Sequence, residues 1–306
     1  MVYVAFSVMC LIFGTTFLAI KWGIDAGLTP FLGGGCRFFL AGLILFSFMV
    51  WKRQAPLSLL LRKEMMLTGL GLTFGTFASL YWAEQYISSG IAAVLSATGP
   101  IMILLLQMTL LRQRTRITAI AGCLIGFSGV VLLLIPGITA PTSPFWILAS
   151  VTILIGEIFY AGGTLYSKHV MPRFKGISPV ALNAVQMMYG GGGLLVMSFF
   201  TEDIHLHSLL KPHAIYSMLY LIVIGSMVAH TIFYWLVAKT TPLFPSTWLY
   251  ISPVIALLLG MILYHEPVSW NTLAGVLIII AGLILINAPA LRQLFGRKIG
   301  LTEGGS

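Results

Sequence analysis

Ten runs of apolar residues follow one another along the chain, at 2–22, 31–50, 66–84, 90–111, 117–135, 145–167, 178–200, 214–236, 243–263 and 270–288, with short polar or charged links between them. Each is close to the ~20 residues an α-helix needs to cross hydrocarbon, and longer than the ~10-residue alternating segments of a membrane barrel. Only 8% of the residues are charged and the mean hydropathy is +1.00, whereas soluble domains carry about 25% charged residues. The expectation is an all-α integral membrane protein with ten transmembrane helices. The first run starts at Met1 with no basic segment before it and no small-residue cleavage site after it, so it reads as a mature helix.

The net charge of +9 is informative through its distribution. All but Lys21, Arg37 and Lys211 of the 17 Lys and Arg residues fall in the links after even-numbered runs or in the tail 289–306. Basic residues accumulate on the cytoplasmic side of a membrane, which predicts a multi-pass plasma-membrane protein with both termini and this tail cytoplasmic. The same distribution accounts for the charge without nucleic acid. Cys10, Cys36 and Cys123 lie inside apolar runs at no metal-ligand spacing, so they read as packing residues, with no disulfide framework, metal or cofactor implied.

The chain also repeats itself. Tyr81 to Val130 recurs 153 residues later as Tyr234 to Leu283, with Tyr81-Trp82 on Tyr234-Trp235, Pro100 on Pro253, Gly122 on Gly275 and Gly129 on Gly282. At an offset of 149 Pro30 meets Pro179, Arg37 meets Gln186 and Gly42 meets Gly191; at 147 Lys21 meets Lys168. Two five-helix units follow, 1–135 and 145–288, joined by a link containing Pro136, Gly137, Pro141 and Pro144. An odd number of crossings per unit inverts one relative to the other, an architecture in which many secondary transporters hold a midplane site between halves that rock. A rigid duplicated scaffold is the alternative.

At these residues the chain resembles the drug/metabolite transporter superfamily, specifically its EamA-type ten-helix members. Phe13-Gly14-Thr15-Thr16-Phe17 with Lys21 is similar to that family's first-helix pattern, and Arg37-Phe38 to its second. The stretch from Ala83-Glu84-Gln85-Tyr86 to Ala93 resembles its helix 3–4 junction, and Tyr250-Ile251-Ser252-Pro253-Val254-Ile255-Ala256 with Glu266 resembles its helix 9. Gln113 departs from the pattern, standing where many members carry the acidic residue that Glu266 preserves in the second repeat. The resemblance implies export of small metabolites, amino acids or amphiphilic drugs, commonly in exchange for protons.

A charge inside hydrocarbon costs about 2.5–3.5 kcal/mol on insertion scales and marks a functional candidate. Glu157 lies mid-span, followed at helical spacing by Tyr160, Thr164 and Lys168; it reads as a protonatable pathway group or as a carboxyl that locks helices together. Arg37, inside span 2, needs a partner, with Glu157 one possibility, and is expected in a structural or gating ion pair. Lys21 could meet Asp25 or Glu84, or snorkel to the interface; with Arg37 and Lys168 it is a candidate for gating or an ion pair. Tyr81, Trp82 and Glu84 close span 3, with Glu84 near the outer interface; Tyr234 and Trp235 are their counterparts, which suits paired gates at opposite mouths. His230 can change charge in the physiological range and is the second coupling candidate; a hydrogen-bonded packing histidine is the alternative. Asn183 and Gln186 suit recognition of a polar solute, or interhelical hydrogen bonding. Pro100 and Pro253 strip the Ser96 and Leu249 carbonyls of an N–H partner and predict kinks, or hinges, in spans 4 and 9. Ser96, Gln107, Ser246, Trp248 and Tyr250 would then line a central cavity. Spans 5 and 10, with Gly122-x-x-x-Gly126 in the first, read as packing helices or as a homodimer face.

These features favour a secondary transporter whose partners are a small solute, the lipid bilayer and protons. A channel or an intramembrane enzyme are the competing classes. No H-E-x-x-H or Walker motif occurs, and the adjacent His265-Glu266 would point to different helix faces.

Overall fold

The computed structural model describes residues 1–87, 89–134, 144–203, 211–255, 270, 274–286 and 288. Glu266, His265 and the basic residues of the tail lie outside them, as does the link from Pro136 to Pro141. The helices are α1 (Val2–Asp25), α2 (Pro30–Trp51), α3 (residues 63–83), α4 (Ile91–Thr109), α5 (Ile117–Leu132), α6 (Trp146–Phe174), α7 (Pro179–Thr201), α8 (Pro212–Lys239), α9 (Leu243–Ile255) and α10 (Ala274–Ile286). Six of them, α1, α2, α4, α6, α7 and α8, are long and apolar enough to cross a membrane. The protein is an all-α, multi-pass membrane protein.

Local chemistry sets several helix starts. Pro30 and Pro179 open α2 and α7, where the missing N–H costs nothing and the fixed φ is already helical. Ser178 caps α7 by accepting from the Val180 N–H at 3.2 Å. The first amides of α2 are capped from another helix: both carboxylate oxygens of Glu202, just past α7, accept from Phe31 N (2.7 Å) and Leu32 N (2.9 Å). A carboxylate there also meets the positive end of the helix dipole. Gly27, at φ 96°, turns the chain from α1 into α2.

The surface and interior are sorted as lipid demands. Leu43, Ile44 and Phe48 on α2, and Ile147, Val151, Ile155 and Phe159 on α6, stand outward. Small residues set the helix crossings, because hydrocarbon offers no hydrophobic gain for burying large ones. A Cβ on Gly42 would sit 2.5 Å from the Ala184 carbonyl oxygen, and one on Gly191 would sit 2.4 Å from Phe39 N. The glycines matched by the 149-residue offset thus form the α2–α7 crossing. Around that pair α1 packs on α8 and α3 packs on α6, so for these helices the main neighbour lies in the other part of the chain.

The glycines of α5 are also spent internally. A Cβ at Gly122 would meet Gly282 O at 2.8 Å, one at Gly129 would meet Gly275 O at 2.8 Å, and Gly126 lies under the Tyr250 ring. Of the two readings of the Gly122-x-x-x-Gly126 stripe, packing and a homodimer face, the structure gives packing: the stripe is covered by α10 and α9.

Both α3 and α8 contain a π-helical stretch, Leu70–Gly75 and Leu221–His230. The 153-residue offset carries 70–75 onto 223–228, inside the second stretch. Such insertions are rare and concentrate at functional sites. The helix of span 4 is interrupted between Ser96 and Gly99, at the turn whose carbonyl Pro100 leaves unpaired. In α9 the break falls at Thr247, six residues before Pro253. It is therefore not at Leu249, where the proline alone would put it.

Candidate functional site

The α1, α2, α3, α4, α6, α8 and α9 helices converge on one enclosed chamber lined by Phe13, Thr16, Phe17, Arg37, Phe77, Ser96, Glu157, Tyr160, His230, Phe233 and Trp248. Its free volume is about 40 Å³, enough for one water at roughly 30 Å³ and too little for an organic solute. Larger clefts open beyond it at either end. One, of about 630 Å³, is lined by Phe31, Trp82, Gln85, Tyr86 and Glu202. The other, of about 530 Å³, is lined by Gln107, Gln113, Tyr166, Lys168 and Thr241.

Glu157, His230 and the indole N–H of Trp248 carry unfilled polar atoms in this chamber. Glu157 is almost fully buried; Ser96 hydrogen-bonds its carboxyl group, while Oε2 has no partner. That oxygen sits where a side chain at Gly99 would be, 2.5 Å from a Cβ built there, so the absence of a side chain at Gly99 makes the room it occupies. His230 ends the π-helical stretch of α8 and is ringed by Phe13, Phe38 and Phe77, with centroids at 5.0, 5.2 and 5.5 Å. Neither ring nitrogen has a hydrogen-bond partner. Tyr160, beside them, donates to Ser246 Oγ at 3.0 Å, and Trp248 packs on Phe13 at 4.4 Å.

Arg37 departs from expectation. It is buried, yet among the described residues no carboxylate lies within 4 Å of it, Glu157 included. Its Nε donates to Ser226 Oγ (2.9 Å) and its NH1 to the Tyr81 hydroxyl (3.4 Å). The guanidinium lies 4.6 Å from the Phe38 ring centroid and 5.3 Å from that of Phe77. Hydroxyls and aromatic faces take the place of the ion pair, as suits a diffuse, weakly hydrated cation.

The two lysines matched by the 147-residue offset make matching contacts at opposite ends. Lys21 Nζ donates to the Glu84 carbonyl at 3.0 Å, closing the end of α3, and pairs with Asp25 at 3.3 Å. Lys168 Nζ donates to the carbonyls of Val237, Ala238 and Thr240 at 2.9, 2.9 and 2.8 Å, closing the end of α8. Glu84 and Val237 are themselves 153 residues apart. Each ammonium satisfies C-terminal carbonyls at the negative end of a helix, and among the described residues Lys168 pairs with no carboxylate. Glu84, expected near solvent, is fully buried with both carboxyl oxygens unpartnered.

Other candidates lie elsewhere. Asn183 and Gln186 are consumed in a chain joining α3, α7 and α8: Thr73 Oγ1 donates to Gln186 Oε1 (2.7 Å), Gln186 Nε2 to Asn183 Oδ1 (2.9 Å), and Asn183 Nδ2 to Thr231 Oγ1 (3.3 Å). Tyr250 points away from the chamber and donates to the Cys123 carbonyl on α5 at 3.1 Å. Gln107 lines the cleft at the Lys168 end instead of the chamber. Trp82 lines the opposite cleft and stacks on Tyr86. Tyr234 is fully buried with an unpartnered hydroxyl, and Trp235 is half-buried against the main core. The aromatic wall of Phe13, Phe17, Phe38, Phe77 and Phe233 had no site role in the sequence reading. Its available signal was the spacing Phe13, Thr16, Phe17, Ile20, one face of α1.

A sequence profile of the EamA-like transporter family matches residues 1–135 and 147–288. The chain belongs to the EamA-like transporter family. The uncharacterized inner membrane transporter YedA of Escherichia coli K12 is 28% identical over 284 residues, covering 90% of this chain and 87% of that one. The uncharacterized transporter YoaV of Bacillus subtilis is 26% identical over 88% of this chain and 90% of its own length. Protein PecM of Dickeya dadantii is 28% identical over 89% and 87%. A crystal structure superposes with a TM-score of 0.75 over 95% of this chain and 98% of its own, at 18% identity, which speaks to the fold alone. As an EamA-like protein the chain is a small-molecule membrane transporter and not an enzyme.

Proposed function

We propose that this EamA-like protein is a proton-coupled exporter of small organic metabolites, working by alternating access. Residues 1–135 and 145–288 would form two inverted five-helix repeats, ten membrane crossings in all, with both termini and the tail in the cytoplasm of a plasma-membrane protein. The observation that carries the reading is the closed chamber in which Glu157 and His230 present unfilled polar atoms between two larger clefts. An occluded carrier needs such a centre: polar groups without fixed partners, walled from both sides, able to bind a solute or a proton but not both at once.

Supporting features are the matched π-helical stretches in α3 and α8 and the matched lysine caps at their ends. The caps suit Lys21 and Lys168 as gate closures, the interruption at Pro100 suits a hinge, and the tyrosines at 81 and 234 suit the two mouths. Arg37, one side of the chamber among aromatic rings, suits a solute with a carboxylate and an apolar body, such as an amino acid or an amphiphilic acid. Purified protein in liposomes tests this. Saturable uptake that follows an imposed pH gradient is expected; flux that never saturates with concentration would make the protein a channel.

A further inference from the structure

The two lysine-capped ends differ in one group. Facing Lys168 the repeat position is Val237, whereas facing Lys21 it is a carboxyl, that of Glu84. This carboxyl is fully buried and neither oxygen accepts a hydrogen bond. The end of α3 is packed into an apolar cluster of Phe17 and Ile20 from α1, Ile87 and Ala92 beyond α3, and Ile153 from α6. The charged groups acting on it are Lys21 and Asp25 of α1 and Arg37 of α2, and Tyr81, one turn back on α3, is itself bonded to Arg37. Lys21 is nearby but spends its contacts on the Glu84 backbone carbonyl and on Asp25.

We infer that Glu84 is a second proton-binding site, separate from the chamber, and acts as an acid-operated latch on the mouth at the Lys21 end. With a proton on the carboxyl, α3 stays packed against α1 and this mouth is shut. When the O–H bond breaks and the proton passes to water at this end, the pocket holds an unpaired carboxylate, which an apolar site does not tolerate. The carboxylate draws the Lys21 ammonium off the backbone carbonyl or swings out to water. Either movement breaks the tie that closes the mouth. Val237 offers no such carboxyl, so this latch exists at one end only. The inference deepens the proposed proton coupling and rests on it for its role in transport, although the latch itself is measurable without any solute.

The test uses the full chain in lipid nanodiscs with Cys10, Cys36 and Cys123 replaced by alanine. Ile87→Cys, buried beside the latch, is labelled with a polar maleimide across a pH series. Rates are divided by those of the exposed Gln85→Cys to remove the thiol's own titration. The normalised rate should rise with pH, by up to about tenfold per unit for a one-proton switch. It should be low and flat in Glu84→Gln, recovered in Glu84→Asp and retained in Glu157→Gln. A flat wild-type profile, or an unchanged slope in Glu84→Gln, overturns the latch. Should Glu84→Gln fail to fold, infrared titration of the Glu157→Gln chain with Glu84 intact decides: loss of a buried carboxylic-acid C=O stretch over the same pH range supports it, and no loss overturns it. Liposome uptake indifferent to a pH gradient, with this labelling profile intact, removes proton-coupled transport while leaving the latch.

Discussion

The α3 and α8 helices are the same backbone used for different chemistry. Each carries a π-helical stretch at matched positions, and each has its C-terminal carbonyls held by a lysine from a matched position. Side chains then separate them. On α3, Tyr81 accepts from Arg37 and Glu84 lies buried at the end; on α8, Ser226 accepts from Arg37, His230 faces the chamber and Val237 lies at the end. On the proposed reading a duplicated backbone would supply two equivalent gates, and the unequal side chains would give those gates unequal responses to protons and solute.

The largest expected effect breaks the chemistry while sparing the scaffold. Glu157→Gln should abolish uptake driven by a pH gradient and leave counterflow exchange intact in liposomes; wild-type gradient-driven uptake in this variant would remove Glu157 from coupling. His230→Gln should shift the pH dependence of uptake, and an unaltered profile would end its candidacy. Arg37→Met should separate transport from stability. Among the described residues the buried guanidinium has no carboxylate within reach, so Arg37→Met relieves the desolvation of an unpaired charge while leaving the Ser226 and Tyr81 hydroxyls without their donor, two effects that offset. Uptake of an acidic solute should vanish with no fall in melting temperature, whereas a large fall would make Arg37 a structural keystone.

Smaller effects address the shared scaffold. Gly191→Ala forces a methyl against Phe39 N and should cost about 1–3 kcal/mol, the usual range for overpacking, read as a lower melting temperature. The two caps give the finest comparison. Hydrogen bonds to charged groups are worth about 1.5–3 kcal/mol each at most, so Lys168→Met, losing three carbonyl contacts, should lower the melting temperature more than Lys21→Met, which loses one and the Asp25 pair. Equal losses would show that the ends are held alike.

Much of the fold was legible because each span is a long apolar run punctuated by charge or proline. Pro30 and Pro179 mark the observed helix starts, and Gly42 and Gly191, aligned by the repeat, meet at the α2–α7 crossing. The chamber was harder to read. In a bilayer the outer face of a helix is as apolar as its core, so Phe13 and Phe77, which face the chamber, look in sequence like Phe199 and Phe200, which face outward. Glu157 and His230 stood out because they are ionisable in hydrocarbon. Asn183, Gln186 and Tyr250 stood out for the same polarity, but their partners lie on other helices, which spacing along one helix does not disclose. Arg37 was expected to need an acid, whereas two hydroxyls and two aromatic rings surround it.

The central claim, that two equivalent gates open in turn around one chamber, is most directly tested by distances measured across both ends of the same protein. Spin labels on the exposed positions Gln85 and Asp203 span the Lys21 end, and labels on Arg112 and Thr241 span the Lys168 end. Pulsed electron resonance in nanodiscs, across a pH series and with a transported solute, should show one distance lengthening as the other shortens. Distances that lengthen together, or that never change while transport proceeds, would contradict the account.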